Sequence, residues 1–218
     1  MNRRGAVWRI LFYLAGTVLL SMGLTLNTKT ELGTAPILTL PLALSEILQI
    51  HFSVLVFILY AVFTTLSFLL AERSGRVKIL LQFPFSFAFS MLLELWGGVF
   101  YFSFTAVWQQ YLLLLAAMML TAAGVSCMIN MELITNPADG FADTVGRLTG
   151  KGVGTGKNIV DITCALCAML IGLAVRRRLM GVGIGTVISM VAVGRFIAIF
   201  QKLFRKKMRT IAGMNESA

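Results

Sequence analysis

Six long apolar blocks alternate with short polar and basic segments along the chain. They cover about residues 8–26, 52–71, 79–100, 109–130, 158–175 and 180–201. A helix rises 1.5 Å per residue, so about 20 residues cross a hydrocarbon core of ~30 Å. The pattern therefore predicts an all-α, polytopic membrane protein with about six transmembrane helices.

Two shorter segments, at 36–48 and 137–149, interrupt the series of long blocks. Each begins with a proline, Pro36 or Pro137, and proline is favoured at the first position of a helix. A helix of about 13 residues is only ~20 Å long, which is too short to cross the membrane. We therefore expect two re-entrant or interfacial half-helices.

An internal repeat relates the two halves of the chain. Five residues recur at one offset of 101 positions: Gly23, Glu31, Leu32, Thr34 and Pro36 return as Gly124, Glu132, Leu133, Thr135 and Pro137. Charged and polar residues that match in register are not explained by shared hydrophobicity, so the pattern indicates a duplication. We predict one membrane domain over 1–201, made of repeat 1 at about 8–100 and repeat 2 at about 109–201.

The charge distribution predicts the orientation of the two repeats. The chain has 19 Lys and Arg residues and a net charge of +10. With six spans and the amino terminus inside, fourteen of these cations lie on the inner side, including those of a basic cytoplasmic tail at 202–218. This agrees with the positive-inside rule. Because each repeat has three spans, the two repeats have opposite orientations in the membrane. The cations predicted on the outer side are Lys29 and the run 176–178.

Composition narrows the class of protein further. Hydrophobic residues make up 58% and charged residues 13% of the chain, against about 25% charged in a typical soluble domain. The mean hydropathy is +0.86. Because the cations flank the apolar blocks, we expect contact with the lipid bilayer and none with nucleic acid.

Several short motifs invite a chemical reading that their context does not support. The glycine-rich stretch 150–157 lacks the spacing of a phosphate-binding loop, and we expect a flexible turn there. Cys164 and Cys167 lie in an apolar run with no second pair, as packing cysteines do. No catalytic arrangement of side chains lies within the apolar blocks, so we expect no enzyme, no cofactor and no metal site.

Ionisable residues inside the apolar blocks are the strongest candidates for a site, because charges at bilayer depth face a cavity or a partner. We predict an inner cluster that pairs Arg195 with Asp139, Asp143 or Asp161, the first two aspartates sharing one helical face. We predict an outer cluster of Glu94 with Lys29. The alternative is that these groups only hold helices together.

Three motifs resemble the YczE/YitT group of bacterial membrane proteins. They lie at 32–36, 136–140 and 183–188, and their key residues are Gly33, Pro36, Pro137, Gly140, Gly183, Gly185 and Thr186. The resemblance covers about residues 10–200 and implies a multi-pass protein of the bacterial cytoplasmic membrane. It supplies no substrate. An acidic residue that the group often carries two positions after the first proline is Leu38 here.

Three functions remain open on the sequence. The first is a small transporter or permease, because inverted repeats with broken helices commonly form a midplane site for a small molecule or ion. The second is a substrate-binding subunit of an importer energised by a separate ATPase. The third is an accessory or assembly protein that does not transport. A homo-oligomer or a partner subunit is compatible with each.

Overall fold

The computed structural model of the protein describes residues 3–70 and 76–214. Within those ranges the regular structure is helical and forms nine helices. Their bounds are α1 Arg3–Thr28, α2 Pro36–Leu48, α3 Phe52–Leu70, α4 Arg76–Leu80, α5 Gln82–Val99, α6 Val107–Met131, α7 Pro137–Leu148, α8 Gly152–Arg176 and α9 Ile184–Ile211.

Six helical segments are long and apolar enough to cross a membrane. They are α1, α3, α4 with α5, α6, α8 and α9, which confirms the prediction of six spans. Large apolar side chains cover their outward faces, with Leu69, Leu170 and Leu203 between 65% and 67% exposed. A surface of this kind fits a hydrocarbon environment. Most of the predicted inner loop at 72–78, with Arg73, lies outside the described residues.

The two proline segments form short helices, as predicted. The first, α2, has 13 residues and the second, α7, has 12, so each is about 18–20 Å long. The residues before them have the same backbone conformation, with φ −54° and ψ 137° at Ala35 and φ −53° and ψ 134° at Asn136. Glu31 and Glu132 both adopt left-handed conformations, at φ 58° and 51°. The sequence repeat therefore extends to local structure.

Glycines bring α1 and α6, the first helices of the two repeats, into close contact. A Cβ on Gly23 would lie 2.6 Å from the backbone nitrogen of Thr121, and one on Gly124 would lie 2.5 Å from that of Leu20. Small residues of this kind let helix backbones approach in a membrane. Each repeat thus supplies one glycine to the same helix pair.

The half-helices pack against the other half of the chain. Helix α2 contacts α8, and α7 contacts α3. The amino-terminal end of α7 faces Tyr60, near the middle of α3. Near the carboxyl end of α7, Gly146 lies against Gly152, at the start of α8. Helix α7 therefore runs from the middle of the bundle to its end.

Two helices extend beyond their predicted bounds. Helix α8 begins at Gly152, where a turn was expected, because Gly156 packs against the backbone of α7 and needs a helix there. Helix α9 continues through residues 202–211, which were expected to be a tail. Met208 and Ala212 are buried, and Ala212 lies against Gly5 of α1. This packing makes the basic segment part of the bundle.

Candidate functional site

Three charged side chains meet where α7 and α8 pack together. The Lys157 Nζ lies 3.5 Å from Asp139 Oδ1 and 3.6 Å from Asp161 Oδ2. We call these three residues the inner triad. Two carboxylates share one ammonium group, so the triad carries a net charge of −1 when all three groups are ionised.

A glycine and a helix cap determine how α7 and α8 place the triad. A Cβ on Gly156 would overlap the carbonyl oxygen of Ala142, so only glycine lets α8 approach α7 this closely. Lys157 and Asp161 are four residues apart and share one face of α8. Asp139 lies in the first turn of α7, where Asn136 caps the helix by accepting a hydrogen bond of 3.1 Å from the Ala138 backbone.

The triad is partly screened from its surroundings. The side chain of Asp161 is 7% exposed, that of Asp139 28% and that of Lys157 37%. A buried carboxylate needs a compensating partner, and Lys157 supplies it for Asp161. Asp139 also gains from the positive end of α7, since acidic groups in the first turn of a helix are stabilised.

Tyr60 of α3 reaches the same place from the other repeat. Its side chain is fully buried. Its hydroxyl faces Asn136 and lies within electrostatic range of both triad aspartates. Among the described residues Asn136 interacts with this hydroxyl, but the contact does not have the geometry of a full hydrogen bond. A buried polar group gains from a further hydrogen-bond partner, so this hydroxyl is available to a ligand at the triad.

A cavity of about 290 Å³ leads to the triad from the end of the bundle that carries most of the cations. Asn136 and Asp139 line one part of it, and Lys78 and Glu132 line another. The positive-inside rule predicts that this end faces the cytoplasm. The cavity reaches Asp139 from this end of the bundle.

Basic residues hold the loop beside this cavity. Arg209 lies 2.5 Å from the Glu132 carboxylate, and Arg9 donates from Nε to the carbonyl oxygen of Met131 at 2.6 Å. The Tyr13 hydroxyl donates to the carbonyl oxygen of Ile134 at 2.9 Å. The hydrogen bond from Arg209, together with nearby cations, lowers the pKa of Glu132 below its ordinary value.

The site is polar in one repeat only. The polar residues of the second repeat are Asn136, Asp139, Lys157 and Asp161. Their counterparts 101 positions earlier are Ala35, Leu38, Val56 and Tyr60, all of them buried. The first repeat thus has a packed apolar core where the second has charges, and Tyr60 is the repeat counterpart of Asp161.

Comparison with known proteins identifies the family. The model of a family of unknown function (DUF6198) matches residues 7–202. The chain belongs to this family. No curated protein and no solved structure matches it significantly. The family match does not name the YczE/YitT group, so that resemblance stays an expectation.

The predicted pairing of Arg195 with the aspartates is wrong for this DUF6198 protein. Arg195 is exposed on α9 and forms no ion pair within the described part of the chain. Helix α9 packs against α6, whereas the triad lies between α7 and α8. Asp143 lies outside the triad and pairs with Arg147 at 3.4 Å. The cation that occupies the site is Lys157.

The predicted outer pair is only partly assembled. Glu94 and Lys29 line one cavity of about 280 Å³, yet no ion pair joins them among the described residues. Glu94 instead lies 3.2 Å from His51 Nδ1 and accepts a hydrogen bond of 2.6 Å from Ser53. These neighbours precede and begin α3, so the carboxylate is satisfied locally.

The motif glycines join the first repeat to the second. Gly33 has φ +99°, and a Cβ there would lie 2.5 Å from the Gly183 nitrogen. The Gly185 nitrogen donates to the Leu32 carbonyl oxygen at 2.7 Å, and Thr186 accepts from the Gly183 nitrogen at 3.2 Å. These residues form a tight backbone junction. These contacts hold the two repeats together at this place.

Gly140 and the two prolines also have structural roles. A Cβ on Gly140 would lie 2.6 Å from the Gln82 amide nitrogen, while Pro36 and Pro137 begin α2 and α7. Arg178, in the basic run 176–178, lies 2.9 Å from Glu46 near the end of α2, so this arginine pairs with a carboxylate.

Two residues of the site escaped the sequence analysis. Lys157 was one of the fourteen cations assigned to the inner side, because the stretch 150–157 was expected to be a turn. Its spacing of four from Asp161 was the available signal once a helix is assumed. Tyr60 lies in an apolar block as an ordinary aromatic residue, and only its position as the repeat counterpart of Asp161 marks it.

Proposed function

We propose that this membrane protein is a small transporter whose solute site is the inner triad. The observation that carries the proposal is the sharing of one ammonium group by two carboxylates, Asp139 and Asp161, at the end of a cavity. A structural pair needs one charge of each sign. The surplus negative charge favours a cationic solute or ion.

The architecture supports the same function. Two proline-initiated half-helices, each belonging to a different repeat, pack against the opposite half of the chain. Discontinuous helices in inverted repeats form the binding sites of many secondary transporters. We propose that the repeats are inverted in the bilayer and that movement of one against the other exposes the triad alternately.

The energetic cost of placing charges in membrane helices favours a transport function over a purely structural role. A charge at the centre of a membrane helix costs about 2.5–3.5 kcal/mol on insertion scales. The first repeat packs three of the four equivalent positions with the buried apolar residues Ala35, Leu38 and Val56, and the fourth with the uncharged Tyr60. The fold is therefore compatible with an apolar core at this place, and the charges of the second repeat are better explained by a ligand.

Solid-supported-membrane electrophysiology tests the proposal. Proteoliposomes would receive concentration jumps of monovalent metal ions, primary amines, quaternary ammonium ions and amino acids. We expect at least one cationic solute to give a transient current in the wild type and in Asp143→Asn. The current should be lost in Asp161→Asn. Asp143 is the matched control because it lies on the same helix as Asp139 and pairs only with Arg147.

Two results would contradict a transport function. One is the absence of a current for every solute in correctly folded wild-type protein. The other is a current that Asp161→Asn leaves unchanged. In either case the accessory or ATPase-dependent role would become the better explanation, since both leave the isolated chain without transport of its own.

A further inference from the structure

We infer that the inner triad is a site for the primary ammonium group of an organic cation, which displaces Lys157. The inference rests on the proposed function for the place of the site and adds the chemical class of the ligand. The structure already holds one alkylammonium group there, namely the end of the Lys157 side chain. A solute amine would take that position.

The distances show that Lys157 is held loosely. Its Nζ lies 3.5 and 3.6 Å from the two carboxylates, whereas hydrogen bonds between charged groups are about 2.7–2.9 Å long. Lys157 is tethered to α8, four residues from Asp161, and this limits where its ammonium can lie. An untethered amine has no such restriction.

The number of acceptors also fits an amine. A primary ammonium group has three N–H donors. Asp139 and Asp161 supply two acceptors, and the buried Tyr60 hydroxyl, which makes no full hydrogen bond with a described residue and lies within electrostatic range of both aspartates, supplies a third. A quaternary ammonium ion has the same charge but no N–H, so the site should distinguish the two.

The cavity beside Asp139 can admit an organic ammonium ion. Asp139 belongs both to the triad and to the wall of the 290 Å³ cavity. An organic chain attached to the amine would lie in that cavity, beside Val125, Met128 and Ile129. The ammonium group would reach Asp139 first and then replace Lys157 between the aspartates.

Chemical rescue of Lys157→Ala by propylammonium tests the inference. The purified variant in detergent would be heated with propylammonium chloride, tetramethylammonium chloride or sodium chloride at equal ionic strength. At ten times its dissociation constant, propylammonium should raise the Tm by about 3–6 °C. Neither of the other salts should do so. Adding Tyr60→Phe should weaken the rescue by about 2–10-fold in concentration.

Arg147→Ala is the matched control, because it also removes a cation from an aspartate at a spacing of four. It should show no specific response to propylammonium. If Lys157→Ala does not fold, Lys157→Ala with Asp139→Asn keeps the net charge of the triad and should still respond through Asp161. The inference would be overturned if all three salts raised the Tm of Lys157→Ala equally. It would also be overturned if propylammonium raised the Tm of neither Lys157→Ala nor the double variant with Asp139→Asn. Because rescue measures binding without transport, it can succeed where the current measurements fail.

Discussion

At the scale of single residues, Glu132 shows how one contact links the inner loop to the last helix. Arg209 lies 2.5 Å from its carboxylate and lowers its pKa below the ordinary value of 4.5. A carboxylate with a lowered pKa stabilises the folded state above its unfolded pKa. That contribution is lost as the pH falls through the folded pKa.

Glu132→Gln should therefore lower stability at pH 7, and the difference from wild type should shrink below pH 4.5 and vanish as the pH falls through the lower pKa of the folded state. We expect a loss of about 0.2–1 kcal/mol, because Glu132 is largely exposed. Thermal unfolding between pH 3 and pH 7 would measure it. The control is Glu31→Gln, at the repeat counterpart, whose carboxylate faces Gln110 at 3.5 Å and forms no ion pair with a residue that the structure describes. A loss at Glu132 that is equal at both ends of the pH range would contradict the ion pair.

The residues also show where sequence reasoning reaches its limit. Asp161 was identified because a charge in an apolar block is conspicuous, and Asp139 because it shares one face of the second proline segment with Asp143. Their partner was predicted wrongly, since hydrophobicity gives the depth of Arg195 but not the direction in which its helix face points. That direction depends on packing between helices distant in sequence, and the packing places Arg195 on the surface.

At the scale of the elements, the hairpin of α7 and α8 sets the geometry of the triad. Gly146 and Gly156 bring the two backbones together, with Gly146 against Gly152 and Gly156 against Ala142. The two half-helices could be predicted from the sequence. A proline marks where each one begins, and each is too short to cross the membrane. The start of α8 could not be predicted in the same way. A glycine-rich stretch suggests a turn, whereas in this structure the glycines allow α8 to pack closely against α7.

Gly156→Ala should destabilise the protein by about 1–3 kcal/mol, because the added methyl group meets a backbone carbonyl that cannot move aside. It should also separate Asp139 from Lys157 and reduce any current through the protein. Gly154→Ala is the matched control on the same helix, since nothing lies within 4 Å of its Cβ position. The control should be neutral or stabilising by up to ~1 kcal/mol. Equal Tm values for the two variants would refute the close contact.

At the scale of the whole molecule, two similar halves differ in chemistry. The offset of 101 positions predicted two units with the same local turns, and the structure gives both units the same conformations before α2 and α7. The charged side chains show which of the two halves carries the site. The second repeat has Asp139 and Lys157 where the first has Leu38 and Val56. The duplication therefore provides a framework of two halves and a single polar site.

In the proposed transporter, the inner cavity opens the triad to the basic side of the membrane, opposite the loop between α5 and α6. Labelling by an impermeant maleimide in right-side-out and inside-out vesicles tests it, with Thr135→Cys and Thr105→Cys in a background without Cys127, Cys164 and Cys167. Both positions are exposed, and Thr135 lines the cavity. We expect Thr105→Cys to react only in right-side-out vesicles and Thr135→Cys only in inside-out vesicles. Reaction of both from the same side, or of Thr135→Cys from the outside, would contradict it.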